Sequence, residues 1–252
     1  MPGSFTITVI FIALAAFIAA FVRRSTRDKC LRDFQKNMTT LEQTSGKVIW
    51  GRLNVENTGL EFIYPTKHVD KDGHDETSFV LYKYEYPDIQ ALARFHDELS
   101  ESNKTQREIE LKKAYHPTTL RRLKRKIINV FKTVRDSVIE VVNILISHAK
   151  KATPAGTVLT SQDKYISQVK HELTGSVGTS YEPLLERYIG RKVVLELIKG
   201  DKMFEYCGVL KEYTANFIEV MDVDYKLNQD QPPRKADLVV PRKYGVVRHL
   251  GE

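Results

Sequence analysis

Apolar residues are distributed unevenly along the chain, and the longest uninterrupted apolar run lies near its start. Residues 5–22 include no charged side chain, and the basic residues Arg23, Arg24, Arg27 and Lys29 follow directly. As a helix, the eighteen residues of this run would measure about 27 Å, close to the thickness of the hydrocarbon core of a bilayer. Because the basic residues follow the run instead of preceding it, the pattern favours a retained anchor over a cleaved secretory signal.

The sequence therefore predicts a single-pass protein of the cell membrane, with its N-terminus outside and the bulk of the chain in the cytoplasm. The anchor is assigned to residues 1–24, with the basic flank beginning at residue 23. The apolar side chains assigned to it include Phe5, Ile10, Leu14, Phe17 and Val22.

Between residues 25 and 87 the spacing of apolar residues changes from three or four to two. Apolar positions 31, 34, 38 and 41 predict a juxtamembrane helix within residues 25–45. Residues 46–87 alternate between apolar and polar and contain turn residues, which predicts a small antiparallel β unit. Its strands are predicted at Lys47–Glu56, Leu60–Tyr64 and Phe79–Tyr86.

A helical region is predicted for residues 88–152. Apolar positions 89, 92, 95 and 99 have helical spacing and follow a potential cap at Asp88. Residues 118–150 predict one helix about 50 Å long. This long helix could pack in a bundle, lie on an anionic membrane surface or pair with its own copy as a coiled coil, and the sequence leaves these three alternatives open. Residues 153–179 are typical of a linker that contains one further short helix.

The last predicted unit covers residues 180–252. Pro183 and Gly190 are placed to begin and end a short helix. Gly208 lacks a Cβ and would let a strand bend sharply enough to close a small barrel. Five short strands are predicted, at Lys192–Ile198, Phe204–Lys211, Asn216–Val223, Asp237–Val240 and Gly245–Leu250.

This helix followed by five strands resembles the Sm-like (LSm) small β-barrel, and SH3-like barrels share the same rhythm. The resemblance implies a five-stranded barrel and, from the family, RNA binding. At the family's RNA-contacting positions, Thr214 stands in place of the aspartate, Asn216 fits in a shifted register, and two residues separate Arg242 from Gly245. The matching residues are Leu185, Ile189, Gly190, Val193, Leu195, Leu197, Gly200, Gly208, Val209, Leu210, Ile218, Glu219 and Val220.

Together these segments predict an α+β chain with a single N-terminal transmembrane helix, a small antiparallel β unit, a helical middle region with one long helix, and a C-terminal five-stranded Sm-like or SH3-like small barrel. The two predicted β units share a short pattern: a glycine, an apolar residue two positions later, a turn, and then apolar–Glu–apolar. It runs from Gly51 to Phe62 and again from Gly208 to Val220. An internal duplication and the common features of hairpins both explain this pattern, and the sequence leaves both open.

The composition shows an excess of positive charge but gives little other indication of a particular chemistry. The net charge is +7, and the basic residues form clusters that could contact anionic lipid or nucleic acid. Two cysteines are too few for a disulfide framework, and no metal-ligand spacing or catalytic motif is present, so neither a metal, a cofactor nor an enzyme is predicted. The candidates for lipid or nucleic-acid contact are Arg121, Arg122, Lys124, Arg125, Lys126, Asn216, Arg242 and Lys243.

The leading hypothesis is a non-catalytic, membrane-anchored scaffold or adaptor that faces the cytosol. It would act through protein–protein contacts of the Sm-like barrel, with an unidentified protein partner and with self-association as a homo-oligomer. The alternative is a membrane-tethered RNA-binding protein that uses the barrel and the basic helix.

Overall fold

Ten antiparallel strands form one continuous, open sheet in the part of the chain that the structure describes. The structure is a computed structural model, and it describes residues 27–69, 72–115, 125, 127, 181–227 and 231–251. The α-helices with described bounds are α1 (Lys29–Asp33), α2 (Glu101–Tyr115) and α3 (Pro183–Tyr188), and two 3₁₀ helices cover Lys83–Asp88 and His96–Glu98. The strands are β1 (Met38–Gln43), β2 (Val48–Val55), β3 (Gly59–Val69), β4 (Asp75–Tyr82), β5 (Ile89–Phe95), β6 (Lys192–Lys199), β7 (Lys202–Tyr213), β8 (Phe217–Tyr225), β9 (Arg234–Pro241) and β10 (Gly245–Leu250).

The order of the strands divides the sheet into two halves with the same topology. Across the sheet the order is β10-β6-β7-β8-β9-β5-β1-β2-β3-β4. In the N-terminal half (β1–β5) the fifth strand precedes the first four, and in the C-terminal half (β6–β10) the last strand likewise precedes the other four. The two halves meet where β5 pairs with β9, and we call this pairing the junction; there Leu92 lies opposite Val239 and Arg94 lies opposite Asp237.

The pairing registers show that the short sequence pattern shared by the two halves marks equivalent positions. Gly51 on β2 faces β1 as Gly208 on β7 faces β6. A Cβ at Gly51 would lie 2.8 Å from the carbonyl oxygen of Ile63 on the third strand. A Cβ at Gly208 would lie 2.6 Å from that of Met221, again on the third strand of its half. Both glycines are therefore required by the same close approach, and the pattern reflects an internal structural repeat.

Each half has its own apolar core, and the junction strands contribute to both cores. Successive residues of a strand point to opposite faces, so neighbouring positions on β5 can enter different cores. Leu92 belongs to the core of the N-terminal half, whereas Ala91, Ala93 and Phe95 belong to that of the C-terminal half. In return, Val239 of β9 enters the N-terminal core. All seven residues of β5 are buried as a result.

Two segments predicted as helices consist wholly or partly of strands, and the burial of the sheet explains both corrections. The apolar spacing of residues 89–99 indicated a helix, but residues 89–95 form β5, in which both faces are covered and apolar residues need not alternate. Residues 25–45 were predicted as one helix, but helix α1 ends at Asp33 and β1 follows. In β1, Thr39, Thr40 and Leu41 are all buried, which again removes the alternation. The long helix predicted for residues 118–150 and the short helix predicted within residues 153–179 lie outside the described residues, apart from residues 125 and 127.

The predicted fold class is wrong, and so is the Sm-like small barrel behind an N-terminal anchor. The described chain is mostly β, with few helices, and not a helical middle region with a small barrel. The five C-terminal strands do not close on themselves, because β9 pairs with β5 and continues the sheet into the N-terminal half.

We also withdraw the prediction of a single-pass membrane protein with its N-terminus outside and the bulk of the chain in the cytoplasm. Among the described residues, no helix has both the length and the apolar character needed to cross a bilayer. The anchor residues Phe5, Ile10, Leu14, Phe17 and Val22 themselves lie outside the described residues.

Candidate protein-interaction edges

The sheet ends in two edge strands, β4 on the N-terminal half and β10 on the C-terminal half. Within the described residues, β4 pairs only with β3, and β10 pairs only with β6. Each strand therefore presents one row of backbone N–H and C=O groups that no described strand of the sheet pairs. Such a row is a template for another strand unless charges, proline or bulges block it.

The β4 edge exposes apolar and aromatic side chains. Val80 and Tyr82 are 45% and 50% exposed. The ring of Tyr82 stacks on that of Tyr84, which is itself exposed, with 5.7 Å between the ring centroids. Exposed aromatic residues of this kind are common anchors at protein interfaces.

The β10 edge exposes a second apolar set beside a bulge. Val246 and Leu250 are exposed, and Val247 is partly buried against the C-terminal core. The register with β6 shifts between Val247 and His249, so Arg248 is the extra residue of the bulge. The pairing before the bulge is regular, and Gly245, Val246 and Val247 lie opposite consecutive residues of β6.

A buried charge network holds the junction between the two edges in place. The carboxylate of Asp237 is fully buried and accepts hydrogen bonds from Arg94 Nη2 at 2.8 Å and from Arg107 Nε at 3.0 Å. His96 Nε2 lies 3.1 Å from the same carboxylate, and the backbone N–H of Asp222 donates to it at 3.0 Å. Burial acts to raise the pKa of Asp237, but the bond from His96 and the charges of both arginines hold it well below its usual range.

Helix α2 is attached to the sheet by charges, because it has almost no apolar face. Its buried residues are Arg107 and Ala114. Glu110, one turn after Arg107 and on the same side of the helix, lies 2.8 Å from Lys211 Nζ. Lys211 in turn lies 3.1 Å from Asp33 and 3.0 Å from Glu219. These ion pairs fix α2 over β7, β8 and β9, so the network has a structural role.

Glu219 is the least satisfied member of this network. Lys211 Nζ approaches its Oε1 atom, yet neither carboxylate oxygen receives a well-directed hydrogen bond from the described residues. Burial raises the pKa of Glu219 to about 8, against the opposing charge of Lys211. The carboxyl group is therefore mostly protonated at neutral pH, which lowers the cost of its burial.

Three of the predicted basic residues that the structure describes form ion pairs within the protein. Arg27 pairs with Glu56 at 2.8 Å, and Lys29 pairs with Glu212. Arg125 donates to Glu186 at 2.8 Å and to Glu212 at 2.7 Å. Burial acts to raise the pKa of Glu212, but the bonds from Arg125 and the charge of Lys29 lower it to about 2.

The remaining candidates lie apart from that cluster or outside the described residues. Arg242 donates to the carbonyl oxygen of Thr214 at 3.4 Å, and its backbone N–H donates to the carbonyl oxygen of Asn216. Lys243 lies over the ring of Tyr244 at 4.8 Å. Arg242 and Asn216 therefore contact each other, whereas Lys243 contacts Tyr244. Arg23, Arg24, Arg121, Arg122, Lys124 and Lys126 lie outside the described residues.

A surface cavity of about 430 Å³ lies beside the hairpin of β6 and β7. Lysines and carboxylates both line it, so its charges largely offset one another. Lys199, which could have been a free amine there, donates to Glu42 and to the Tyr225 hydroxyl, each at 2.8 Å. The described residues contain no group of three metal-ligating side chains. The lining residues are Lys199, Lys202, Phe204, Glu205, Tyr206, Asp224, Lys226 and Leu227.

The β4 edge was missed by sequence reasoning. The signal for it is the apolar, solvent-facing Val80 and Tyr82 on a predicted strand, but this signal has meaning only once β4 is known to be an edge. Comparison with protein-family models, with curated proteins and with solved structures gave no match.

Proposed function

We propose that the protein is a non-catalytic scaffold or adaptor that binds other proteins through the outer edges of its sheet. The observation that carries this proposal is the contrast between equivalent positions. Val239 and Pro241 are buried at the junction, where another strand covers β9. Val80 and Tyr82 of β4 are their equivalents, because Val80 lies opposite Glu61 as Val239 lies opposite Glu219. Both are exposed at the β4 edge. These side chains have the apolar character of interface residues without a described strand to cover them.

The physical basis of such binding is the addition of a strand to an open edge. Backbone hydrogen bonds supply affinity in this mode, and side chains beside the edge supply specificity. The β4 edge is suited to it, because Val80 and Tyr82 are apolar and β4 contains no proline. The stacked pair of Tyr82 and Tyr84 adds aromatic surface at one end of this edge.

The nucleic-acid alternative receives less support from the described residues. An electrostatic interface with phosphates needs basic side chains that are free to neutralise phosphates, which releases the counterions condensed on the nucleic acid. Arg125, Arg27 and Lys29 instead form ion pairs with carboxylates, and Arg125 is largely buried. The contacts that hold these groups would have to break before they could bind phosphate.

Site-specific photo-cross-linking in cells that express the full chain tests this proposal. A benzophenone amino acid is placed at Val80 or at Val246, one on each edge. The matched control is Ile198, which is as exposed as Val80 at 45% but lies on β6, between two paired strands. We expect protein adducts at the two edge positions and none at Ile198. Equal adducts at all three positions, or no adduct at either edge, would contradict the proposal.

A further inference from the structure

The junction between the two halves shows how this chain covers the edge strand of a half-sheet. At the junction, β9 and β5 lie antiparallel, with Val239 opposite Leu92. Val239 and Leu92 are both fully buried in the N-terminal core, and the neighbouring Ala91 is buried in the C-terminal core. Each strand thus completes the core of the neighbouring half.

The free edges are the counterparts of these same two strands. In the third and fourth strands of each half, Glu61 lies opposite Val80 as Glu219 lies opposite Val239. The β4 strand therefore corresponds to β9, and Val80 corresponds to Val239.

The first and last strands of each half give the other correspondence. Leu41 and Leu195 are equivalent, because they lie opposite Ile49 and Tyr206, each two residues before the shared glycine. Leu41 lies opposite Leu92 as Leu195 lies opposite Val247. The β10 strand therefore corresponds to β5, and Val247 corresponds to Leu92. Val246, the residue before Val247, corresponds to Ala91, the residue before Leu92.

From this correspondence we infer that the β4 edge binds the β10 edge of a second copy of the chain, antiparallel, with Val80 opposite Val247. This inference rests on the proposed function and names its partner. The same register places Leu81 opposite Val246 and Tyr82 opposite Gly245. Val80 and Val246 are exposed, while their counterparts Val239 and Ala91 are buried at the junction. The contact would cover both exposed side chains.

Each copy has one edge of each type, so the association runs head to tail. A head-to-tail contact uses two different surfaces and leads to a ring or to an open filament, depending on the rotation between copies. A symmetric dimer through two β4 edges or through two β10 edges would not reproduce the junction.

The contact between copies differs from the junction in two respects that predict its strength. At the junction, the ion pair of Arg94 and Asp237 crosses between the strands. The corresponding residues at the free edges are Leu250 and Ser78, which cannot form an ion pair. The bulge at Arg248 also ends the regular pairing after Val247. We therefore expect an association that depends on protein concentration and dissociates on dilution.

Disulfide trapping between two singly substituted chains tests the register directly. The full-length protein is used, with mild detergent for the apolar residues 5–22, and Cys207→Ser removes the exposed native thiol. Residues directly opposite in antiparallel strands have Cα atoms about 4.5–5.5 Å apart, which is within the range of a disulfide. Val80→Cys protein is mixed with Val247→Cys protein and oxidised. We expect a mixed dimer, formed at least tenfold faster than dimers of either variant alone.

The matched control replaces Val80→Cys with Val69→Cys, which lies on β3 and is also exposed. No mixed dimer above background is expected from this pair. Equal trapping with Val69→Cys, dimers formed only within one variant, or no dimer at any concentration would overturn the inference.

A second pair of variants tests the association without any cross-link. Val80→Lys places a cation opposite Glu61, and Val69→Lys places one opposite Asp75, so both substitutions should be compatible with folding. Sedimentation is expected to give monomers for Val80→Lys and concentration-dependent larger species for Val69→Lys and for the unmodified chain. Larger species of unchanged stability for Val80→Lys would overturn the inference.

The photo-cross-linking experiment separates failure of this inference from failure of the proposed function. If adducts at Val80 contain other proteins and never a second copy, the scaffold proposal stands and the inference about the second copy is wrong. If neither edge gives an adduct, both are wrong.

Discussion

Replacing Asp237 with asparagine is expected to lower the free energy of unfolding by about 3–5 kcal/mol, the usual cost of removing one partner from a buried ion pair. The carboxylate is fully buried and binds Arg94 at 2.8 Å and Arg107 at 3.0 Å. Asparagine keeps the shape but replaces one acceptor oxygen with an amide donor that faces guanidinium N–H groups. The side chains of the two arginines are only 4% and 10% exposed. Arg94 would then carry a buried charge without its carboxylate partner, and Arg107 would keep only the longer ion pair with Asp222 at 3.3 Å.

Urea denaturation, followed by far-ultraviolet circular dichroism and by the fluorescence of the single tryptophan, Trp50, measures this effect. The matched control is Asp224→Asn on β8. The Asp224 carboxylate is 63% exposed and pairs with the half-exposed Lys235 at 3.1 Å, so its loss should cost about 0.5 kcal/mol or less. Similar losses for the two variants, or a loss below about 1 kcal/mol for Asp237→Asn, would refute the assignment of the junction network as a buried, fully paired cluster.

Three further predictions concern the repeat, the core and the buried acid. Gly51→Ala and Gly208→Ala should each lower the free energy of unfolding by about 1–3 kcal/mol in urea titrations, because both Cβ atoms meet third-strand carbonyl oxygens; a neutral effect at either site would argue against an equivalent close approach. Phe95→Ala should cost about 3–5 kcal/mol in the same assay, since Phe95 is 1% exposed in the C-terminal core, and a loss below about 1 kcal/mol would mean that β5 does not enter that core. Glu219 keeps its proton up to about pH 8 when folded but releases it near pH 4.5 when unfolded, so its contribution to stability is complete below pH 4.5 and is lost as the pH rises through 8. The free energy of unfolding of Glu219→Gln should therefore fall less between pH 5 and pH 8 than that of the unmodified chain, and parallel pH profiles would contradict this.

The strands of the C-terminal half were the most accessible to sequence reasoning. Each alternates or is flanked by glycine and polar turns, and the observed bounds differ from the predicted ones by at most three residues, with β10 unchanged. Alternation is clearest in β6, which has one face in a core and the other partly in solvent. Val193, Leu195 and Leu197 of β6 are fully buried, while the residues between them are not.

The junction could not be predicted from the same signals. Alternation disappears in β5 because both of its faces are buried, and its apolar residues then have the spacing of a helix by coincidence. The polar residues of β5, Gln90 and Arg94, would normally argue against assigning this segment to a central strand. In the structure, Gln90 donates to the carbonyl oxygen of Ile198 at 2.7 Å and Arg94 binds Asp237, so both are satisfied by residues more than a hundred positions away. No local pattern encodes such partners.

The candidate edges depend on the junction in the same way. Val80 and Tyr82 are visible in the sequence as apolar residues on a strand, and single exposed apolar residues are ordinary on protein surfaces. They become candidates for binding only through their equivalence to Val239 and Pro241, and this equivalence follows from pairing registers that only the fold supplies.

Hydrogen–deuterium exchange of the full chain at low and high protein concentration tests the central claim most directly. If the β4 edge binds the β10 edge of a second copy, amides of residues 78–82 and 245–247 gain protection as the concentration rises, while those of β2 at the centre of the N-terminal half do not change. Identical exchange at both concentrations in β4 and β10, or new protection elsewhere without any at these strands, would contradict it.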